Sequence, residues 1–168
     1  MRQRYVVALG SNRRHHRHGG PRRVLAAALE ALTEQGMAIE ATSPVIITAP
    51  LGHSRRRYAN AAVLLRAELT PEALLETLKA IERSFGRRLR GRPWSDRVLD
   101  LDILLWDGGA WTSGGLTIPH PRFRRRSFAL QPAAAIAPTW CDPLTGYTLR
   151  QLHARLTRTS RLPIGHTR

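Results

Sequence analysis

Asp100 and Asp102 stand two residues apart in the apolar run Val98-Leu99-Asp100-Leu101-Asp102-Ile103-Leu104-Leu105-Trp106. Alternation of this kind marks a strand, with both carboxylates on one face and Leu99, Leu101, Ile103 and Leu105 on the other. At a rise of roughly 3.3 Å per residue the acids lie about 7 Å apart along the chain. Two like charges that close in a half-buried site push one pKa upward unless cations lie between them. Mg²⁺ meets that need, because it takes one or two protein carboxylates and fills its remaining positions with water and substrate phosphates. The lead-in Arg87, Arg88, Arg90, Arg92 and Arg97 supplies forked donors that match phosphate oxygens. This stretch therefore spells metal-assisted handling of a polyphosphate. It equally fits a strand whose solvated acidic face is ion-paired to neighbouring arginines, and the stretch alone does not separate the two.

The elements that must hold these residues can be read in order. Tyr5 to Leu9 is a buried strand ending in the turn-forming Gly10-Ser11-Asn12. Arg13 to Gly20 reads as a mobile basic loop able to close over an anion; its His15, His16 and His18 suit a solvated basic tract better than a metal site. Pro21 opens a helix with Val24, Leu25, Ala28, Leu29 and Leu32 at three-and-four spacing, closing near Gly36. Ile39 to Ala49 is a second strand in which Ser43-Pro44 permits a bulge or an edge position, and Ala61 to Ala67 a third. At the third strand's mouth Tyr58 and Asn60 share a face, where a ring can stack on a flat heterocycle and an amide can read its edge. A surface tyrosine beside a turn asparagine fits there too. Thr70-Pro71-Glu72 caps and opens a second helix that buries Leu74, Leu75, Leu78 and Ile81 and ends at Gly86. Strand, helix, strand, strand, helix, strand is the α+β, ferredoxin-like βαββαβ order. Beyond it lie a short strand at Leu116 to Ile118, a Pro119-His120-Pro121 corner, a turn or short helix carrying Arg122, Arg124, Arg125 and Arg126, and helical segments at Ala129 to Ile136 and Leu149 to Leu156. The last dozen residues read as loosely held.

Composition sets the frame. The 168 residues, 42% of them hydrophobic, suit one domain spanning 1–168. Only Lys79 among 27 basic residues is lysine, so the +15 charge is almost wholly guanidinium, which favours nucleotides or nucleic acid as partners. The basic content of Arg13 to Arg23 and of Arg55 to Arg57 exceeds what a single catalytic site needs. The lone Cys141 excludes an internal disulfide, fits a reducing cytoplasm, and is expected to be an ordinary buried side chain. Tyr5 to Leu9 is shorter than the roughly 7–15 residues of a signal-peptide core and no apolar run nears the ~20 of a membrane span, so a cytoplasmic location without membrane contact is expected. The chain has no conspicuous apolar surface helix, which favours a monomer. A basic ferredoxin-like nucleic-acid-binding module is the competing reading, but it lacks the aromatic strand motifs of an RNA-recognition sheet and leaves paired acids where phosphates would dock.

Gly10-Ser11-Asn12, Thr48 to Gly52, Tyr58-Ala59-Asn60-Ala61-Ala62, Glu82 to Arg87, Arg97 to Ile103, and Pro119-His120-Pro121 to Phe128 together resemble the 6-hydroxymethyl-7,8-dihydropterin pyrophosphokinase family, in order, over nearly the whole chain. The resemblance implies transfer of diphosphate from ATP to the hydroxymethyl group of the reduced pterin, giving AMP and the pterin diphosphate used in folate synthesis, with no nucleic-acid partner. It also implies that Asp100 and Asp102 hold two Mg²⁺ ions on the ATP phosphates. Tyr58 and Phe128 correspond to the rings that sandwich the pterin, and Asn60 to the residue that reads its polar edge. Arg87 and Arg97 match phosphate-contacting arginines, and Trp94 sits on the loop that closes over both substrates. His120 and Arg126 match nucleotide-side residues, and Glu82, on the second helix, supports the same site or serves as a helix ion-pair partner. Ser95-Asp96, Pro93, Gly115 and Pro121 depart from residues common among relatives, and none of them touches the two aspartates. A relative that retains pterin binding but not catalysis is the remaining alternative.

Overall fold

The computed structural model describes residues 1–50, 55–86 and 97–159, the side chain of Thr159 excepted. Its centre is β1 (Gln3–Ser11), whose interior Tyr5, Val6 and Val7 are fully buried. On one side β1 pairs antiparallel with β4 (Tyr58–Ala67), on the other with β5 (Asp100–Trp106). The expected Ile39 to Ala49 strand is two strands, β2 (Ala38–Thr42) and β3 (Ile46–Thr48), both laid along β4. The break falls at Ser43-Pro44. There the Ser43 N–H donates to the Ala62 carbonyl (2.9 Å), and the Ser43 hydroxyl accepts from the Ala62 N–H (2.9 Å), so a side chain replaces a ladder bond where proline interrupts the edge. The main sheet thus runs β2-β4-β1-β5, entirely antiparallel, with β3 beside β4.

Both long helices cover one face. α1 (Pro21–Glu34) buries Val24, Leu25, Ala28 and Leu32, and α2 (Pro71–Ser84) buries Leu74, Leu78 and Ile81, against Tyr5, Val7, Leu9, Val63, Leu65, Leu99, Leu101 and Ile103. α2 starts as its sequence demands, with the Thr70 hydroxyl accepting from the Ala73 N–H (3.3 Å) and Pro71 in the first turn. A short hairpin, β6 (Trp111–Ser113) and β7 (Leu116–Ile118), follows β5, and its turn uses Gly115 at φ +87°, a conformation that favours glycine. The second face of the sheet is packed by a single 3-10 turn, Phe123–Arg125, by α3 (Ser127–Ile136) and by α4 (Leu149–Thr159). Phe123, Leu130 and Leu149 there are fully buried on Val6, Leu64 and Leu104.

Three expectations need correction. Leu105 does not share a face with Leu99, Leu101 and Ile103: a β-bulge lets Val6 pair with Leu105 and Val7 with Ile103, so Leu104 and Leu105 both join the α3 side. Cys141 is exposed. Finally, Arg13 to Gly20 is no open loop. His15 and Gly19 exchange both backbone hydrogen bonds (2.8 and 2.9 Å), and the His15 ring, 7% exposed, stacks with His18 at 4.7 Å between centroids.

Candidate functional site

Antiparallel register decides which side chains meet. Gly10 on β1 lies between Asn60 of β4 and Asp100 of β5, and Ala8 lies between Ala62 and Asp102. Paired residues in a ladder point to the same face, so the two acids, the asparagine and the small residues of β1 share the face that α3 and α4 cover. The helices cover only part of it. Over Gly10 and Ala8, which offer no more than a methyl group, a cavity of about 290 Å³ remains, and Asp100, Asp102, Asn60, Tyr58 and Arg97 all line it. His120, Arg126 and Phe128 line it from the opposite wall, joined by Thr48, Arg122 and Phe123. Both aromatic rings expected to hold a flat guest thus face one cavity.

Each of these groups is held by a neighbour. The Asn60 amide nitrogen donates to the Thr48 hydroxyl at 2.8 Å, which fixes which end of the amide is the donor. A β-carbon at Gly10 would sit 3.3 Å from the Asn60 Oδ1, a contact close enough that the amide would have to give by a few tenths of an ångström. Arg97 is clamped through its backbone: its N–H donates to the Asn12 Oδ1 (2.8 Å), and its carbonyl accepts from the Asn12 N–H (3.1 Å). Its guanidinium forms a 2.9 Å ion pair with Asp100, both side chains remaining about one-third exposed. Glu82 is buried, 2% exposed, and is not among the lining residues; its carboxylate accepts from the Leu101 N–H at 2.7 Å, on the backbone between the two aspartates. Its place is therefore at the outer edge of β5, holding the acid pair's strand.

On the opposite wall, the His120 N–H donates to the Leu104 carbonyl (3.0 Å), tying the Pro119-His120-Pro121 corner to β5. The His120 Nδ1 accepts from the Arg122 N–H (3.1 Å), so the neutral ring carries its proton on Nε2. Burial lowers the His120 pKa, helped by Arg126 and Arg122 and opposed by Asp100, and the ring is neutral at pH 7. Arg126 lies over the Phe128 ring at 5.7 Å. Behind this wall Asp142, fully buried, receives two bonds from Arg124 (2.6 and 2.7 Å), one from the Thr145 hydroxyl and one from the Leu144 N–H. Burial pushes that carboxyl up, and these donors outweigh it and hold it below its ordinary value.

The donor set for a metal is two carboxylates on one strand face; among the described residues no third histidine, cysteine or acid completes a cluster. That fits Mg²⁺ bound jointly with phosphates rather than a closed protein cage. Arg87 and Trp94 lie outside the described residues. Sequence reasoning brought together Tyr58, Asn60, Arg97, Asp100, Asp102, His120, Arg126 and Phe128, all in one cavity. It gave no role to Asn12, to Thr48 or to the Arg124–Asp142 pair, whose partners are 12 to 85 residues away in the chain.

Comparison with known proteins places the chain in a family. Residues 6–138 match the family model described as 7,8-dihydro-6-hydroxymethylpterin-pyrophosphokinase (HPPK). The chain is 38% identical over 138 residues to the 2-amino-4-hydroxy-6-hydroxymethyldihydropteridine pyrophosphokinase of Synechocystis sp., covering 82% of this chain and 70% of that one. It is 37% identical over 155 residues to the protein of the same name from Methylorubrum extorquens, covering 91% and 93%. Among solved structures it resembles Plasmodium falciparum HPPK-DHPS with pteroate, at a TM-score of 0.72 and 14% identity, over 98% of this chain and 45% of that chain. At that identity the likeness speaks to the fold alone, and the chain spans less than half the length of that protein.

Proposed function

The chain belongs to the 7,8-dihydro-6-hydroxymethylpterin-pyrophosphokinase family, and from that premise we propose that the cavity over Gly10 and Ala8 is where diphosphate passes from ATP to 6-hydroxymethyl-7,8-dihydropterin. The activity is that of a diphosphotransferase in folate biosynthesis, yielding AMP and the pterin diphosphate. In the reaction the pterin hydroxyl oxygen bonds to the β-phosphorus, the bond from that phosphorus to the oxygen leading to the α-phosphate breaks, and the hydroxyl proton leaves to solvent. The observation that carries the assignment is the joint lining of one cavity by the acid pair, two aromatic rings, a fixed amide and a basic wall.

Tyr58 and Phe128 stack on the pterin ring, and the Asn60 amide, its direction set by Thr48, reads the ring's polar edge. Asp100 and Asp102 would hold two Mg²⁺ ions together with the ATP phosphates, and the bound metal would supply charge neutralisation at the attacking and leaving oxygens. Arg97 moves from Asp100 toward phosphate as the nucleotide enters, while Arg126 and neutral His120 line the nucleotide side; Arg87 and Trp94 are assigned to the phosphates and to closure over the pterin and nucleotide. Glu82 acts by holding β5 rather than by touching nucleotide. Positioning and charge stabilisation account for the rate, since no side chain is placed as a general base.

The finer reading of the fold belongs to the same proposal: the order β2-β4-β1-β5 with α1 and α2 on one face supports a ferredoxin-like βαββαβ sandwich with C-terminal additions, one domain over 1–168. No helix among the described residues is long and apolar enough to cross a membrane. A cytoplasmic monomer acting on small molecules, without nucleic acid, completes the proposal. The test is AMP formation from ATP and Mg²⁺, measured with and without the pterin. Pterin-dependent AMP release is the expected result, and release that ignores the pterin overturns the assignment. Asp102→Ala should lower turnover by roughly a hundredfold or more with the circular dichroism spectrum unchanged; near wild-type turnover would remove the metal role from this pair.

A further inference from the structure

The arginine excess of Arg13 to Arg23 and of Arg55 to Arg57 has no role in the cavity described above, yet part of it converges. Arg14, Arg22, Arg23 and Arg57, from three separate segments and all exposed, line a second, shallow and solvent-open pocket of about 580 Å³ with Ile47 and Ala59. Ala59 lies between Tyr58 and Asn60 on β4, and Ile47 is its ladder partner, so the two cavities meet the same β3–β4 edge. Ala59 packs with the α1 side while Asn60 lines the catalytic cavity, which separates the second cavity from the first.

Some arginines elsewhere in the structure are ion-paired. Arg2, Arg4, Arg66, Arg97 and Arg124 each meet a carboxylate. Among the described residues no carboxylate lines the second pocket, and none of its four arginines is joined to an acid. Four like charges facing one hollow repel one another, and a multiply charged anion relieves that repulsion while accepting forked bonds from each guanidinium. A single carboxylate offsets one charge of the four; a chain of phosphates offsets most of them. The first turn of α1, which carries two of the arginines and no acid, adds positive potential of the same sign.

We propose that this cavity is a second anion site that takes an oligophosphate, either free or as the phosphate tail of a nucleotide. Isothermal titration of the whole chain with inorganic tripolyphosphate, in EDTA so that the catalytic acids have no metal, tests it. An Arg97→Ala/Arg126→Ala variant, stripped of basic partners in the catalytic cavity, should still show one saturable site. In an Arg22→Gln/Arg23→Gln variant the dissociation constant of that site should rise about tenfold or more, the loss expected for charge-assisted hydrogen bonds, while Mg²⁺-dependent, pterin-dependent AMP formation stays at the wild-type rate. Tighter binding of ATP than of tripolyphosphate under the same conditions would assign the site to nucleotides, with Ile47 and Ala59 under the base, and equal binding would assign it to free phosphates. Loss of all binding in Arg97→Ala/Arg126→Ala, or wild-type binding by Arg22→Gln/Arg23→Gln, overturns the proposal. So does tighter capture of a single-stranded RNA than of tripolyphosphate through the same arginines, which would make the surface a nucleic-acid face.

Discussion

A single missing side chain shapes the catalytic cavity. Asp100, Gly10 and Asn60 sit in a row across three strands, and the bare Cα of Gly10 lets the Asn60 Oδ1 approach while its amide nitrogen bonds Thr48. Gly10→Ala places a methyl 3.3 Å from that oxygen, a contact that tilts the amide without blocking the strand. Loss of one well-aligned hydrogen bond, worth about 1 kcal/mol net, should raise the KM for pterin roughly fivefold. The KM for ATP, which the proposal places against the other wall, should stay unchanged; steady-state kinetics with each substrate varied in turn reads the split. A parallel rise in both constants would show that the methyl disturbs the whole sheet end. Glu82 illustrates the opposite case, a charged residue, expected to support the site, that accepts from the Leu101 N–H, where it replaces a ladder bond at the edge of the acid-bearing strand.

Among the elements, the 3-10 turn Phe123–Arg125 is the one whose position matters most for the proposed nucleotide wall. It carries Arg122 and Arg126 at its two ends into the cavity, and Arg124 turns away to form a two-pronged pair with buried Asp142. Removing one partner of a buried pair costs about 3 kcal/mol at the lower end of the usual range, appropriate here because the Arg124 side chain keeps 24% exposure. Asp142→Ala should therefore lower the melting temperature by several degrees. Among molecules that remain folded at 25 °C it should raise the KM for ATP more than that for pterin. Equal effects on both would reduce the pair to a general support of the second core.

For the molecule as a whole, pH separates two kinds of group. His15 and His120 both have pKa values lowered from the ordinary 6.5, in each case first by burial and then by neighbouring basic side chains, His16, His18 and Arg17 for His15 and Arg126 and Arg122 for His120. His15 adds a geometric reason, because its Nδ1 accepts from the N–H groups of Arg17 and His18 and has no room for a proton. The unfolded chain thus binds protons that the native chain refuses as pH falls below about 6.5, and stability must fall with it. Glu40, held by Arg4 and Arg66, and Asp142, held by Arg124, have carboxyls below their ordinary values, so their contribution is lost only nearer pH 4 and lower. Thermal melts from pH 7.5 to 3 should show two declining stages, with His15→Gln flattening the upper one. A profile flat between 7 and 5 would contradict the histidine assignment.

Sequence alone determined most of the elements and which side chains share a face. Apolar spacing located α1 and α2 to within a residue or two, and strand alternation put Asp100 and Asp102 on one face and Tyr58 beside Asn60, because these patterns are local and each residue's direction follows from its immediate neighbours. Where alternation failed, at Leu105, a bulge had shifted the register, which depends on the partner strand rather than on the run itself, whereas the break at Ser43-Pro44 was legible in the proline. Tertiary structure decided which walls face each other. Only the pairing of β1 with β4 and β5 sets Asn60 and Asp100 across Gly10, and only the return of residues 119–130 over the second face brings His120, Arg126 and Phe128 to the same hollow. The role of Asn12, clamped to Arg97 across 85 residues, was equally invisible in one dimension, since a hydrogen bond between distant segments leaves no periodic trace in either.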